Sequence, residues 1–298
     1  MNSKPEGYSR RFFDPPYTKA PLIAALVIID STHFIFARLL LPHISPSVSA
    51  FYVLSVGTVE FGLYGFFCRR IHFKAFKSHY WFFLSIGVLI AASTIINYEA
   101  VAFIDAGTAS ILGKASILMS VGLGIFWLRE RFTRFQAFGA LLALTGVLVI
   151  TFHPGDYVRL GSLLVLLSAF MYALHTAIVK RYGEDIDFVE FFFFRVLTTS
   201  ILLFFIALGR RSLIWPDLST WFLLIMTGTV DVVISRSLFY IVLRRMTMSI
   251  HSIVLTLSPV VAILWAFFLF DTMPTLLKLA GGVGVILGVF IVTIRRSV

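Results

Sequence analysis

The stretch Asp105–Thr151, DAGTASILGKASILMSVGLGIFWLRERFTRFQAFGALLALTGVLVIT, decides how this chain is read, because its pattern returns at the C-terminal end. It runs as an apolar segment from Gly107 to Leu128, a sharp basic turn at Arg129-Glu130-Arg131, and a glycine-spaced apolar segment from Phe135 to Ile150. A second copy starts near Met248 and stays apolar to Phe270. It turns tightly at Asp271-Thr272-Met273-Pro274 and ends in the glycine-spaced segment Leu276 to Ile294. Laid over each other, Trp127-Leu128-Arg129-Glu130 falls on Phe268-Leu269-Phe270-Asp271, and with one inserted residue Gly139 and Gly146 fall on Gly281 and Gly288. The chain therefore reads as two halves of one design.

Composition sets the solvent. Of the 298 residues 59% are hydrophobic and 13% charged, and the mean hydropathy is +0.94, whereas soluble domains carry about 25% charged residues. This is an all-α polytopic membrane protein. A spanning helix takes about 20 apolar residues, so the length accommodates about ten spans with short loops and no soluble domain beside them. The single cysteine, Cys68, excludes an intrachain disulfide and a cysteine metal cluster. Residues 1–19 are polar, carry Pro5, Pro15 and Pro16, and lack the short apolar core of a cleavable signal, so they read as a disordered cytoplasmic arm. A net charge of +10 would suggest nucleic acid or an anionic surface in a soluble protein; in a membrane protein its placement along the chain reports topology instead, and no nucleic-acid partner is expected.

The spans expected from hydropathy are Pro21–Leu41, Ser47–Cys68, Trp81–Phe103, Gly107–Leu128 and Phe135–Phe152, then Leu160–Val179, Phe188–Leu208, Leu218–Leu243, Met248–Phe270 and Thr275–Ile294. With the N-terminus inside, Arg69, Arg70, Lys74, Lys77, Arg129, Arg131, Arg134, Lys180, Arg181, Arg244, Arg245, Arg295 and Arg296 join the basic arm on one side. The other side has Arg159, Arg210 and Arg211, with Lys278 a turn inside the last span. This bias places both termini in the cytoplasm. Five spans per half make the second half (153–298) enter from the opposite side to the first (20–152), an inverted repeat of the kind used by alternating-access transporters.

Several local motifs sharpen this. Asn97-Tyr98-Glu99-Ala100-Val101 leads through Asp105-Ala106-Gly107-Thr108-Ala109-Ser110 into the fourth span, Leu128-Arg129-Glu130 closes it, and Leu257-Ser258-Pro259-Val260 lies in the ninth. With the five-plus-five arrangement, these make the chain resemble the EamA-type group of the drug/metabolite transporter superfamily over everything after the arm. The resemblance implies a central cavity between the halves, with the fifth and tenth spans peripheral. One departure stands out: the position matching Pro259 in the first half is Leu118, and Lys114 stands one turn earlier.

Four cations (Arg38, Lys114, Arg195, Arg236) and four acids (Asp30, Glu60, Glu99, Asp231) fall inside spans. An isolated charge costs at least about 2.5 kcal/mol at the bilayer centre, so each needs a partner or water. A uniform rise of about 1.5 Å per residue puts Asp30, Glu60, Arg195 and Arg236 in one layer about 12 to 14 Å from the cytoplasmic edge, Asp231 and His33 nearer the midplane, and Arg38, Glu99 and Lys114 in the outer half. One reading is an inner gate in which Glu60 pairs with Arg195 or Arg236, with Asp30 and Asp231 as further gate or coupling residues, and an outer site where Lys114 meets substrate. The other makes all of these permanent structural pairs, Lys114 with Glu99 among them. Lys114 shares a helical face with Ser110, Gly113 and Ile117, an opening and not a packed stripe. His33 lies on a face with Asp30, either functional or a hydrogen-bonded core histidine. Tyr172, His175 and Thr176 on the sixth span, and Thr94, Asn97 and Tyr98 on the third, suit a cavity that binds an organic solute, or equally hydrogen bonds between helices. The phenylalanines, Phe191 to Phe194 among them, read as lipid-facing or packing surface, and Gly284 to Gly288 as a close helix contact in a monomer or the seam of a homodimer.

GxSxG, HExxH, Walker A and Cys/His ligand spacings do not occur, so no catalytic residue, metal or cofactor is expected. The leading reading is a secondary transporter in a prokaryotic cytoplasmic membrane for small metabolites such as amino acids. Exchange of phosphorylated or nucleotide-linked solutes would need Lys114, Arg195 and Arg236 to converge. A membrane transferase on lipid-linked substrates would use Glu60 or Asp231 as base, and a scaffold or sensor would leave the charged layers idle.

Overall fold

The computed structural model describes residues 19–100, 103, 109, 112–152, 160–270 and 273–294, and they form helices joined by short turns. The chain order is α1 (Lys19–Asp30), α2 (His33–Leu40), α3 (Pro46–Phe67), α4 (Phe73–Ser78), α5 (Tyr80–Ala100), α6 (Ala115–Phe126), α7 (Arg134–Thr151), α8 (Leu160–Tyr182) and α9 (Phe188–Gly209). Then come α10 (Leu218–Thr227), a π-helical segment (Gly228–Arg236), α11 (Ser237–Arg245), α12 (Met248–Val254), a 3-10 turn (Leu255–Leu257), α13 (Ser258–Phe270) and α14 (Leu276–Ile294). Among the described residues eight helical stretches are long and apolar enough to cross a membrane, and the apolar helices Ala20–Asp30 and Ala115–Phe126 are shorter. Residues 1–18 of the arm, the link at Asp105-Ala106-Gly107, and Asp271-Thr272 lie outside the described residues.

Two expected spans are interrupted. The first breaks at Ser31-Thr32, where the hydroxyls of both residues donate to backbone carbonyls three positions back, at 2.6 and 2.7 Å, in competition with the helical ladder. The Trp265 indole N–H donates to Ser31 Oγ at 2.9 Å and fastens the break to α13. In the fourth span, Lys114 stands in a turn ahead of α6. Hydropathy does not register either feature.

Helix ends follow local chemistry. Thr133 and Gln136 form a reciprocal capping box at the start of α7, Asp187 caps α9 through Val189 N–H, and Asp217 caps α10 through Thr220 N–H. Arg69, Arg129 and Arg211 follow the ends of α3, α6 and α9 with φ of 52°, 56° and 52°, the left-handed conformation that closes many helices.

Of the Phe191–Phe194 run, Phe191, Phe192 and Phe194 are fully buried with Phe83, Phe239 and Tyr240, so the run is core packing and not lipid surface. The closest helix pair is α7 with α14. A Cβ on Gly139 would stand 2.8 Å from Gly288 O, and one on Gly146 would stand 2.6 Å from Gly281 O, so only glycine lets the backbones meet there. Gly284 faces the same crossing: a Cβ there would stand 3.7 Å from Gly146 Cα. The glycine face of the last helix is thus turned onto α7 within the chain.

Candidate functional site

A cavity of about 200 Å³ opens where four helices depart from α geometry: the α1–α2 break, the turn at Lys114, the π-helical segment and the 3-10 turn before α13. Asp30 and His33 flank the first break, and both line the cavity. Asp30 Oδ1 lies 3.4 Å from Arg236 Nη1, and Asp30 Oδ2 accepts from the Ser258 hydroxyl at 2.9 Å. His33 Nδ1 meets Asp231 Oδ2 at 2.9 Å, with the imidazole 48% exposed and Asp231 9%. Arg236 Nη2 lies 3.9 Å from Asp231 Oδ1, and its Nη1 donates to the Tyr172 hydroxyl at 3.4 Å. The π segment makes this cluster possible. Its i→i+5 spacing stacks Asp231 and Arg236, which a regular α-helix would turn well apart.

Lys114 brings a second fixed cation to the same space, beside Gly113, Ser116 and Ser120, and Asp30 acts on it electrostatically. Thr176 on α8 and Ser252 on α12 add hydroxyls, and Phe239 closes one wall with its ring 5.9 Å from the Arg236 guanidinium. The site can therefore offer a carboxylate and a cation to the two ends of a small solute, with hydroxyls between them.

Several expected residues lie elsewhere. The two-level picture of an inner gate and an outer Lys114 site is corrected: Lys114, Asp30 and Arg236 line one cavity, because a uniform rise per residue does not survive breaks in the helices carrying them. Glu60 makes no pair with Arg195 or Arg236 among the described residues; its carboxylate accepts from Thr229 Oγ1 at 2.7 Å. Arg195 is buried under Tyr240, its guanidinium 5.1 Å from the ring, with Nε and Nη1 unpartnered. His175 is buried behind Tyr172 and bonds the Tyr240 hydroxyl through Nε2 at 3.1 Å. Glu99 is taken by Arg210 and not by Lys114. Asn97 is exposed on α5 and does not line the cavity. Ser110 and the side chains of Tyr98 and Arg38 lie outside the described residues.

The residues missed by sequence reasoning are mainly serines. Ser258 stands in a motif marked by its proline, while Ser116 and Ser120 on α6 and Ser252 beside Ser249 on α12 are short hydroxyls among mostly apolar neighbours, a pattern that ordinary backbone-bonded serines share. In the sequence Glu130 marks the repeat and the Leu128-Arg129-Glu130 motif, with no role of its own. Its carboxylate accepts from Met248 N, Ser249 N and Ser249 Oγ at 2.5, 2.9 and 2.5 Å, capping α12 from the α6–α7 turn. Gly124 leaves the space in which Glu130 and Ser249 meet. Around this cap, Arg181 donates to Trp127 O at 2.9 Å, Arg244 donates to Gly183 O and Ile186 O at 2.7 and 3.1 Å, and Arg70 pairs with Asp187 at 2.7 Å. The turns after α3, α6, α8 and α11 are thereby tied together at one end of the bundle.

The EamA-like transporter family model matches this chain twice, over residues 19–152 and 159–294. An uncharacterized transporter of Bacillus subtilis (strain 168), YdfC, is 28% identical over 190 residues, which are 62% of this chain and 62% of that protein. A solved crystal structure aligns with a TM-score of 0.81 at 16% identity, covering 93% of this chain and 97% of the other, a likeness of fold. The chain is an integral membrane protein and belongs to the EamA-like transporter family.

Proposed function

We propose that this protein is a secondary transporter that carries small zwitterionic metabolites, amino acids foremost, across the cytoplasmic membrane by alternating access between two inverted five-helix halves. The observation that carries the reading is the convergence of Asp30, Arg236, Lys114 and hydroxyl groups on one small cavity at helix breaks. Discontinuous helices are where transporters present backbone and charged groups to solutes. The volume, about 200 Å³, lies below the roughly 300–1,000 Å³ of pockets for drug-sized ligands, which favours a small solute. In this reading Lys114 takes the substrate carboxylate and the Asp30 and Asp231 side receives the ammonium. Nucleotide-linked solutes fit less well, because Arg195 is engaged with Tyr240 and does not join Lys114 and Arg236 in the lining.

The end tied by Glu130, Arg181 and Arg244 carries the basic turns, so with both termini in the cytoplasm it is the cytoplasmic end, closed here. The half-exposed His33 then marks the way to the other side. Uptake and counterflow of an amino-acid panel into proteoliposomes tests the proposal. Saturable flux of an unmodified amino acid is expected. Flux indistinguishable from empty liposomes across amino acids, with chemical turnover of a lipid-linked donor instead, would replace it with the transferase reading.

A further inference from the structure

Between α3 and α5 the chain carries a basic, aromatic segment, Arg69 to Trp81, whose two sides differ. The inner side is fastened to the bundle. Ile71 fills the space over Gly65, Phe76 stacks on Phe83 with centroids 5.7 Å apart, and the His72 amide and ring meet Glu190 at 3.0 and 2.9 Å. Arg70 is held by Asp187. The outer side is bare: Arg69, Lys74 and Lys77 are exposed and pair with no carboxylate among the described residues. Beside them Phe73 is 70% and Trp81 67% exposed. Phe73 keeps one edge contact with Phe194, its centroid 5.7 Å away, so three exposed cations and two largely exposed rings sit at the ends of two spanning helices, the level at which headgroups meet hydrocarbon.

We propose that this collar binds anionic phospholipid headgroups of the adjoining leaflet. The lipid phosphate takes Arg69, Lys74 and Lys77, and Phe73 and Trp81 lie along the glycerol and upper chain region. Free phosphate would meet the charges but leave both rings in water, so a lipid is the occupant that fits both features. Because the segment is fastened through Asp187 and Glu190 at the start of α9, a bound headgroup also braces the α3–α5 turn against that helix.

The test uses the full chain in phosphatidylcholine nanodiscs with phosphatidylglycerol titrated in. Lipid retained is read by native mass spectrometry, and the unfolding midpoint is read in parallel. Wild type is expected to retain phosphatidylglycerol preferentially and to gain thermal stability from it, and each cation changed to glutamine should lower the preference about fivefold. Lys74→Arg with Lys77→Arg should keep it. Should the triple glutamine variant fail to fold, the single variants Lys74→Gln and Lys77→Gln carry the same expectation. Equal retention of both lipids by wild type, an undiminished preference in the glutamine variants, or the same thermal gain from inorganic phosphate alone would each overturn the proposal. None of these readouts depends on transport, so the collar and the transport reading fail separately.

Discussion

Lys114 and Arg236 are the two fixed cations of the cavity, and their surroundings give them different tasks. Arg236 is held between Asp30 and Asp231, whose carboxylates would both lose their fixed cation if it were removed. Arg236→Met should therefore lower stability by about 3 kcal/mol or more, read as the unfolding midpoint in detergent. Asp30→Asn should cost less, because Asp231 stays with Arg236. Lys114 lines the cavity where the proposed substrate would sit, so Lys114→Ala should abolish flux while the fold persists, and Lys114→Arg should restore little, since a planar fork does not replace a point charge. Glu99 is engaged with Arg210, so Glu99→Gln should not rescue Lys114→Met. Full flux in Lys114→Ala would end the substrate-contact role.

Among the elements, the α7–α14 crossing gives the sharpest contrast. A Cβ at Gly288 would stand 2.5 Å from Ala143 N and Gly139 O, whereas one at Gly282 would meet Val260 Cγ1 at 3.6 Å. Gly288→Ala should destabilise by about 1–3 kcal/mol, as overpacking does, and Gly282→Ala should be tolerated; equal midpoints for the two would contradict the crossing. At the start of α10, hydrogen bonds from the Thr220 hydroxyl, the Ser219 hydroxyl and the Thr220 amide hold Asp217 at about 2, below its ordinary 3.8. A depressed carboxylate contributes stability that is present above pH 3.8 and lost as pH falls through about 2. Asp217→Asn should flatten that acid-side slope in a thermal titration, and an unchanged slope would remove the cap from the account.

The long elements were legible because hydropathy needs only composition, and the glycine spacing of Gly139, Gly146, Gly281 and Gly288 carried the repeat. The breaks were not. Ser31-Thr32 looks like any hydroxyl pair in an apolar helix, and the π spacing that stacks Asp231 under Arg236 leaves no periodic trace in nine residues. Pairing was harder still, since His33 and Asp231 lie 198 positions apart and several carboxylates could have answered each cation. Charge type pointed to the cavity residues; their common depth and their partners came only with the fold.

For the whole molecule, Glu130 joins the two family-matched halves at the end where the basic turns are tied together. A hydrogen bond to a charged group contributes about 1.5–3 kcal/mol, so Glu130→Gln should speed amide exchange over Met248–Val254 about tenfold or more in hydrogen–deuterium exchange. Exchange at the wild-type rate would show that the turn is held shut by something else. The α7–α14 seam behaves in the opposite manner. At its glycines backbone meets backbone, Gly139 with Gly288 as Gly146 with Gly281, a reciprocal arrangement across the halves, and Ala143, Val147, Val285 and Val292 pack between them. Sliding either helix by one turn would drive side chains such as Ala143 and Val285 into main chain that only glycine tolerates. In mechanical terms the seam is a stator. In the proposed alternating-access cycle, whatever rocks would be hung from it, and the broken helices around the charge cluster would be the parts that move.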